Sequence, residues 1–377
     1  MRVIVFTSAY RPLIGGSEIA IEQIVSRLPE IFFEIVTPRY RKTLLKTESG
    51  INYKIHRVGF GCACDKYIFP LLGCLKALGI NRKEKADILH AYQASYGAGA
   101  GWLFKKIYPR IKFIITLQEG KVLEEQGIII NWIRKIFLKN ADFITAISTY
   151  LLNYAKLHNS STGTMLIPNG VDIKKFTPPE VGFSNDSIRN AIGIKSGERV
   201  IISTSRLVSK NGLDILIKAF ALAWQSDRSL RLLLIGGGPL HKQLRDLSFE
   251  LGLGDAVLFL GEADYSGLPQ YLRISEVFVR PSLSEGLGNS FLEAMASGVP
   301  VIGTQVGGIP DFLKDGETGL FCRSNDPEDL SIKILMILKD ERLRAMLAEN
   351  GINLIRSKYD WNLAAGRFAG LYTQLMQ

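Results

Sequence analysis

Metal and redox chemistry have little to work with in this chain, which holds four cysteines and four histidines among 377 residues. Cys62, Cys64 and Cys74 cluster, Cys322 stands apart, and His56 is the one nearby residue that would serve as a fourth ligand. Zinc-type spacing is absent, so all four thiols are expected to be reduced and structural. No Asp-x-Asp pair occurs, which argues against a metal-held diphosphate. The run from Gly236 to Pro239 lacks the Gly-x-Gly-x-x-Gly spacing of a dinucleotide site and so disfavours a nicotinamide enzyme. No apolar run is long enough to span a bilayer, and residues 1–7 read as a first strand instead of a signal peptide. The expectation is a cytoplasmic protein.

Acidic charge is scarce too, but only in one half. The net charge is +10. Residues 1–170 hold 23 Lys and Arg against 12 Asp and Glu, and the remainder 23 against 24. A basic half implies an anionic partner (membrane lipid, phosphorylated substrate or nucleic acid), or else a face that is merely solvated.

What the chain does have is alternation. Short apolar runs at 3–6, 32–36, 53–58, 87–91, 113–116, 143–146 and 165–167 are separated by helical patterns. The plan repeats at 200–204, 230–235, 256–259, 276–279, 299–302 and 319–321. Such alternation predicts an α/β protein with two Rossmann-like domains, each a parallel sheet covered on both faces. The turn at 168–172 and the polar segment 174–190 mark the junction, giving domains at 1–170 and 171–360. Ligands in such sheets bind beyond the carboxyl ends of the strands, so the interdomain cleft is the expected active site.

The most informative stretch is 280–300. Glu285 falls in a loop after a buried strand, and Glu293 about one turn inside the helix that follows. Gly286 and Gly288 expose N–H groups at the helix start, with Leu287 and Asn289 between and after them, which suits an anion. Carboxylates repel phosphate but bind sugar hydroxyls, so the combination points to a nucleotide-sugar. Upstream, Arg206 and Lys210 stand four apart at a strand end and make a compact positive site for a diphosphate. Gly236 and Gly237 let backbone approach a ligand, and Glu262, at another strand end, flanks a base.

The first half is less specific. Gly15 and Gly16, before a helix expected at 19–28, either bring backbone N–H groups against a phosphate or sugar or form a tight turn capped by Ser17. His90, Gln118 and Glu119 close strands, with His90 read either as facing substrate or as a structural histidine. In 128–139, Ile129, Trp132, Ile133, Ile136 and Phe137 share a helical face edged by Arg134, Lys135 and Lys139. That pattern fits an interfacial helix on anionic lipid and equally a helix packed on its own core. Segment 102–112 mixes aromatics and bases in the same way, and 60–80 has the composition of an acceptor- or lipid-touching flap.

Taken together, Glu285 to Pro300, Arg206 with Lys210, Gly236 to Pro239, Asn169 to Asp172 and Gly15-Gly16 resemble the GT-B glycosyltransferases of family 4, also called glycosyl transferases group 1. The resemblance spans nearly the whole chain and is strongest in the second half. It implies two facing Rossmann-like domains, a retaining and metal-independent transfer, and a UDP- or GDP-linked sugar as co-substrate with no other cofactor. Carried over, Glu285 holds donor-sugar hydroxyls, Glu293 the ribose, Arg206 and Lys210 the diphosphate with N–H groups near Leu287 and Gly288, and Gly16 approaches the donor. His90, Gln118, Glu119 and Asn169 are left for the acceptor or sugar side. A C-terminal helix from 361 is expected to return to the first domain. The acceptor implied is a glycan or lipid-linked sugar, with an anionic membrane surface at the basic domain and no nucleic acid. Two departures stand out: Gln118 replaces the family's usual histidine, and Asn211 separates Lys210 from Gly212. A nucleotide-sugar epimerase and a noncatalytic anion-binding homologue are the alternatives.

Overall fold

A computed structural model describes residues 1–12, 15–120, 126–159, 161–178 and 186–377. It divides into one unit of Met1–Asn169 with Trp361–Gln377 and a second of Gly170–Asp360.

The first unit is built on β1 (Arg2–Thr7), β2 (Phe32–Pro38), β3 (Thr47–Ser49), β4 (Tyr53–Val58), β5 (Ile88–Tyr92), β6 (Lys112–Leu117), β7 (Phe143–Ala146) and β8 (Gly163–Leu166). They lie in the order β3-β4-β2-β1-β5-β6-β7-β8. All neighbours are parallel except the short edge pair β3 and β4. Val3 to Phe6 and Phe113 to Ile115 are fully buried, as a sheet covered on both faces requires. The cover comes from α1 (Gly16–Arg27), α2 (Asp65–Lys83), α3 (Tyr96–Ile107), α4 (Ile128–Lys139) and α5 (Thr149–His158).

A later helix, α13 (Trp361–Met376), completes this unit. Its Trp361, Ala364, Ala365, Phe368, Leu371 and Tyr372 recur at three- and four-residue intervals and join the core around Val3, Ile24 and Ile35. A polar chain stitches it to the sheet. His90 Nδ1 meets the Tyr372 hydroxyl at 2.7 Å, His90 Nε2 meets Thr116 Oγ1 at 2.6 Å, and Thr116 Oγ1 meets Thr145 Oγ1 at 2.6 Å. Of the two readings of His90, substrate-facing or structural, this geometry fits the structural one and not the place on the acceptor or sugar side. The side chain is wholly buried, and burial pushes its pKa down to about 3, so it is a neutral structural residue.

The second unit holds β9 (Arg199–Thr204), β10 (Leu230–Ile235), β11 (Val257–Gly261), β12 (Val277–Arg280), β13 (Val301–Gly303) and β14 (Leu320–Phe321), ordered β11-β10-β9-β12-β13-β14 and parallel throughout. Its helices are α6 (Asp186–Ala191), α7 (Leu213–Ser226), α8 (His241–Glu250), α9 (Leu268–Arg273), α10 (Asn289–Ala296), α11 (Pro327–Lys339) and α12 (Glu341–Lys358). Leaving aside the antiparallel edge strand β3, the order in each sheet reverses direction once, between β1 and β5 and between β9 and β12. Those switch points are where open α/β sheets leave a crevice.

The cysteine expectation is also corrected. Cys62 and Cys64 are joined in a disulfide, while Cys74 and Cys322 are free and buried. The turn that brings the two sulfurs together closes around Asp65, whose carboxylate accepts the N–H groups of Phe60, Gly61 and Cys62. Residues 65–80 of the supposed flap form part of helix α2. Among the described residues no helix is long and apolar enough to cross a membrane.

Removing the Tyr372 hydroxyl leaves a ring nitrogen of buried His90 without its partner. Tyr372→Phe is expected to cost about 1–3 kcal/mol in urea unfolding, with faster hydrogen exchange in α13. Unchanged stability would show that the polar chain does not hold the helix.

Candidate active site

The switch point of the second sheet collects most of the residues singled out from the sequence. The end of β9 carries Arg206, exposed, and then a 3-10 turn, Ser209–Asn211, that holds Lys210. Asn211 is buried and donates its side-chain amide to the Arg206 carbonyl at 2.7 Å, which fixes the turn. The Lys210 carbonyl in turn accepts the Leu283 N–H at 2.7 Å, tying this loop to the one after β12. Asn211 therefore braces the turn, while Lys210 reaches toward Glu285.

The end of β12 supplies a residue not singled out beforehand. Arg280 is almost fully buried, and its guanidinium donates to Glu285 Oε2 at 2.7 Å, Ser290 Oγ at 2.6 Å and Ser282 Oγ at 3.1 Å while lying 4.7 Å over the Phe291 ring. Lys210 Nζ stands 3.7 Å from the same Glu285 oxygen. Glu285 thus sits between two cations in the loop before α10. Burial lowers the Lys210 pKa, and the neighbouring positive charges of Arg280 and Arg206 push the same way against the pull of Glu285. The sequence signal for Arg280 was present: like Arg206, it is a cation directly after a buried apolar strand.

Glycine makes the convergence possible. A Cβ on Gly307, whose φ is +54°, would lie 1.7 Å from the Glu285 carbonyl oxygen. One on Gly236, at φ +143°, would lie 1.9 Å from that of Ser205. Only bare backbone fits at these two crossings.

Gly288 caps α10 and Leu287 is buried beside it, so the start of Asn289–Ala296 faces the same loop cluster. The Gly286 N–H, expected to be open to an anion, is taken by Glu285 Oε1 at 3.1 Å. Gly237 and Glu262 meet at the ends of β10 and β11, where a Cβ on Gly237 would come 2.5 Å from the Glu262 carboxylate. Glu293 lies deeper. Burial raises its pKa to about 7 against a hydrogen bond from Tyr265 and the charges of Arg280 and Lys175. Lys175 itself stacks over the Tyr265 ring at 4.1 Å. Tyr265 and Lys175 carried no sequence signal, since each is an ordinary loop residue until the fold places it.

In the first unit Gln118, Glu119 and Asn169 come together at the end of β6. Gln118 and Asn169 exchange side-chain amide contacts at 3.3 and 3.4 Å. Glu119 accepts the Ala94 N–H at 2.6 Å and the Gln118 N–H at 2.9 Å. Burial pushes its carboxyl up, opposed by Arg134 and these N–H groups. Helix α1 begins at Gly16, with Gly15 as its cap, so Ser17 is inside the helix and bonds Glu18 in place of capping. Among the described residues one cluster has the donors for a metal ion, Cys62, Cys64 and Asp65, and its two sulfurs are spent on the disulfide.

Comparison with known proteins agrees in both halves. Residues 184–354 match the family model described as Glycosyl transferases group 1, and residues 14–175 that described as Glycosyltransferase Family 4. The N-acetyl-alpha-D-glucosaminyl L-malate synthase of Bacillus anthracis is 28% identical over 376 residues, 97% of this chain and 96% of that one. A GDP-mannose-dependent monoacylated alpha-(1-6)-phosphatidylinositol monomannoside mannosyltransferase of Corynebacterium glutamicum is 32% identical over 240 residues, 61% of each. In three dimensions the chain is similar to sucrose-phosphate synthase from Thermosynechococcus elongatus, with a TM-score of 0.86 at 22% identity over 99% of this chain and 98% of that one. The two parallel-sheet domains have the GT-B fold.

The buried Glu293 makes stability depend on pH. The unfolded group ionises near 4.5 and the folded one near 7. Between those values the unfolded chain has lost a proton that the folded one keeps, so stability falls as pH rises from about 4.5 to 7 and then levels. Glu293→Gln is expected to flatten this slope, gaining about 2–3 kcal/mol on wild type between pH 4.5 and 8 in urea titrations. Parallel pH profiles for the two proteins would overturn the assignment.

Proposed function

The chain belongs to the glycosyltransferases of group 1 and family 4 and is a glycosyltransferase, and from that footing we propose a retaining, metal-independent transfer from a nucleotide-sugar to a hydroxyl of a cell-envelope glycan or lipid-linked acceptor. The observation that carries this reading is the meeting of Arg206, Lys210, Glu285 and the start of α10 at the β9/β12 switch point. Cations and helix N–H groups suit a diphosphate, and a fixed carboxylate suits sugar hydroxyls. The nucleotide-sugar donor and the envelope acceptor are further supported by the relatives, one of them described as GDP-mannose-dependent and acting on a phosphatidylinositol mannoside.

In the proposed reaction the bond between the anomeric carbon and the diphosphate oxygen breaks, and its electron pair leaves with the diphosphate. Arg206 and Lys210 stabilise that charge as it develops. The acceptor oxygen bonds to the anomeric carbon from the same face, and its proton passes to the departing phosphate oxygen. Glu285, locked by Arg280, accepts hydrogen bonds from donor hydroxyls, and Glu293 takes those of the ribose. Neither carboxylate is needed as a nucleophile. The pairing of Glu285 with two cations suits the role of a fixed hydrogen-bond acceptor better than that of a proton carrier.

A thermal-shift screen of nucleotide-sugars, followed by turnover with the one that stabilises, tests the reading. Arg206→Ala and Lys210→Ala are each expected to lower turnover by about 100-fold or more with the fold intact. EDTA is expected to leave the rate unchanged, and the product to retain the donor's anomeric configuration by NMR. Full turnover by Arg206→Ala would sink the site assignment, and an inverted product would sink the mechanism.

A further inference from the structure

The helices α2, α3 and α4 lie side by side on one face of the first sheet. Pro70 of α2 and Phe137 of α4 both reach the position of Gly99 in α3, whose small residues allow the close approach. Helix α4 is anchored through Arg134, Phe137 and Leu138. Arg134, expected at the edge of an apolar face, points inward and donates to Asn131 Oδ1 at 2.7 Å and Gln126 Oε1 at 2.8 Å. The opposite face is left in water. Ile128 is 89% exposed, Ile129 73% and Trp132 63%, with Ile130 and Ile133 also exposed. The predicted stripe is therefore divided: Phe137 packs on the protein's own core, while Ile129, Trp132 and Ile133 are exposed among the described residues.

The charges carried by the three helices are, with one buried exception, of one sign, although Lys105 is paired with Asp142 beyond α3. Helix α2 holds Lys66, Lys76, Arg82 and Lys83, α3 holds Lys105 and Lys106, and α4 holds Arg134, Lys135 and Lys139. The single acid on the three helices is Asp65, buried under the turn that precedes α2. Lys135 and Lys139 are exposed on α4 itself, and α2 adds exposed Tyr67, Leu71 and Leu75. An exposed isoleucine-rich stripe with a tryptophan, on helices that themselves carry several exposed bases and no exposed acid, matches a ligand that is apolar in depth and negative at its surface.

We propose that the α2–α4 face docks on an anionic lipid bilayer, with Ile128, Ile129, Trp132 and Ile133 entering the headgroup boundary and Lys135 and Lys139 held at the phosphates. The amphipathic indole of Trp132 suits that depth. This docking is independent of the transfer reaction proposed above, and its test needs no sugar donor.

The test is co-sedimentation with vesicles of equal parts phosphatidylglycerol and phosphatidylcholine, against phosphatidylcholine alone. Wild type is expected to bind the anionic vesicles at least about tenfold more strongly, and the preference to shrink as salt is raised. The double variant Ile129→Glu with Trp132→Glu is expected to lose about tenfold or more of that binding while keeping its circular dichroism and melting temperature. Brominated lipid is expected to quench tryptophan emission in wild type and far less in Trp132→Phe, which still sediments with the vesicles. No affinity of wild type for anionic vesicles would overturn the proposal, as would wild-type binding by the double variant. A concentration-dependent dimer in sedimentation velocity, dissolved by the same two substitutions, would overturn it in favour of a second copy of the chain.

Discussion

The candidate site depends on one buried cation. A guanidinium at the end of a central strand is costly to desolvate, and Arg280 is kept there by partners that occupy each of its edges: Glu285, Ser290 and Ser282 around the plane and Phe291 beneath it. Removing one member of such a buried pair typically costs about 3–5 kcal/mol, because the other charge is left stranded. The geometry of the loop from 281 to 288 follows from this constraint. Glu285 cannot swing away, Lys210 meets a carboxylate already fixed, and Gly307 must be bare because Glu285 brings its own backbone with it. What reads in the sequence as a pair of glutamates is in the folded chain a triad of one carboxylate and two cations, with Glu293 apart in a drier place.

Much of the fold was legible because a parallel sheet buried on both faces leaves an unambiguous apolar run for each strand. The runs at 53–58, 143–146 and 230–235 coincide with strands to the residue. The edge strand β3 was not legible: Thr47–Ser49 is exposed and polar, paired on one side only, and nothing in its pattern distinguishes it from a loop. The start of α1 was misplaced because Ser17 was weighed as a cap, whereas Gly15 caps and the helix takes in Gly16.

The candidate site was legible where chemistry is carried by charged residues at strand ends, and not where it rests on burial. Arg206, Lys210 and Glu285 are marked by position alone. His90 is equally well placed by position, yet its function is decided by Tyr372, a residue 282 positions away whose arrival no local pattern shows. Helix α4 teaches the same lesson in reverse. An apolar stripe in sequence specifies a helical face, but only the placement of Arg134, Phe137 and Leu138 reveals which face the protein has used for itself.

The closure of the first unit by α13 bears on how the chain is made. The sheet of β1 to β8 emerges early during synthesis, with its core around Val3, Ile24 and Ile35 still lacking Trp361, Phe368 and Tyr372. Residues 170–360 must be translated before those side chains arrive. For that interval the ribosome presents an apolar groove and a buried histidine without its phenolic partner. The second unit, continuous in sequence, can finish first although it begins later. Of the two units, the one that begins earlier in the sequence is completed later, because its core waits for α13.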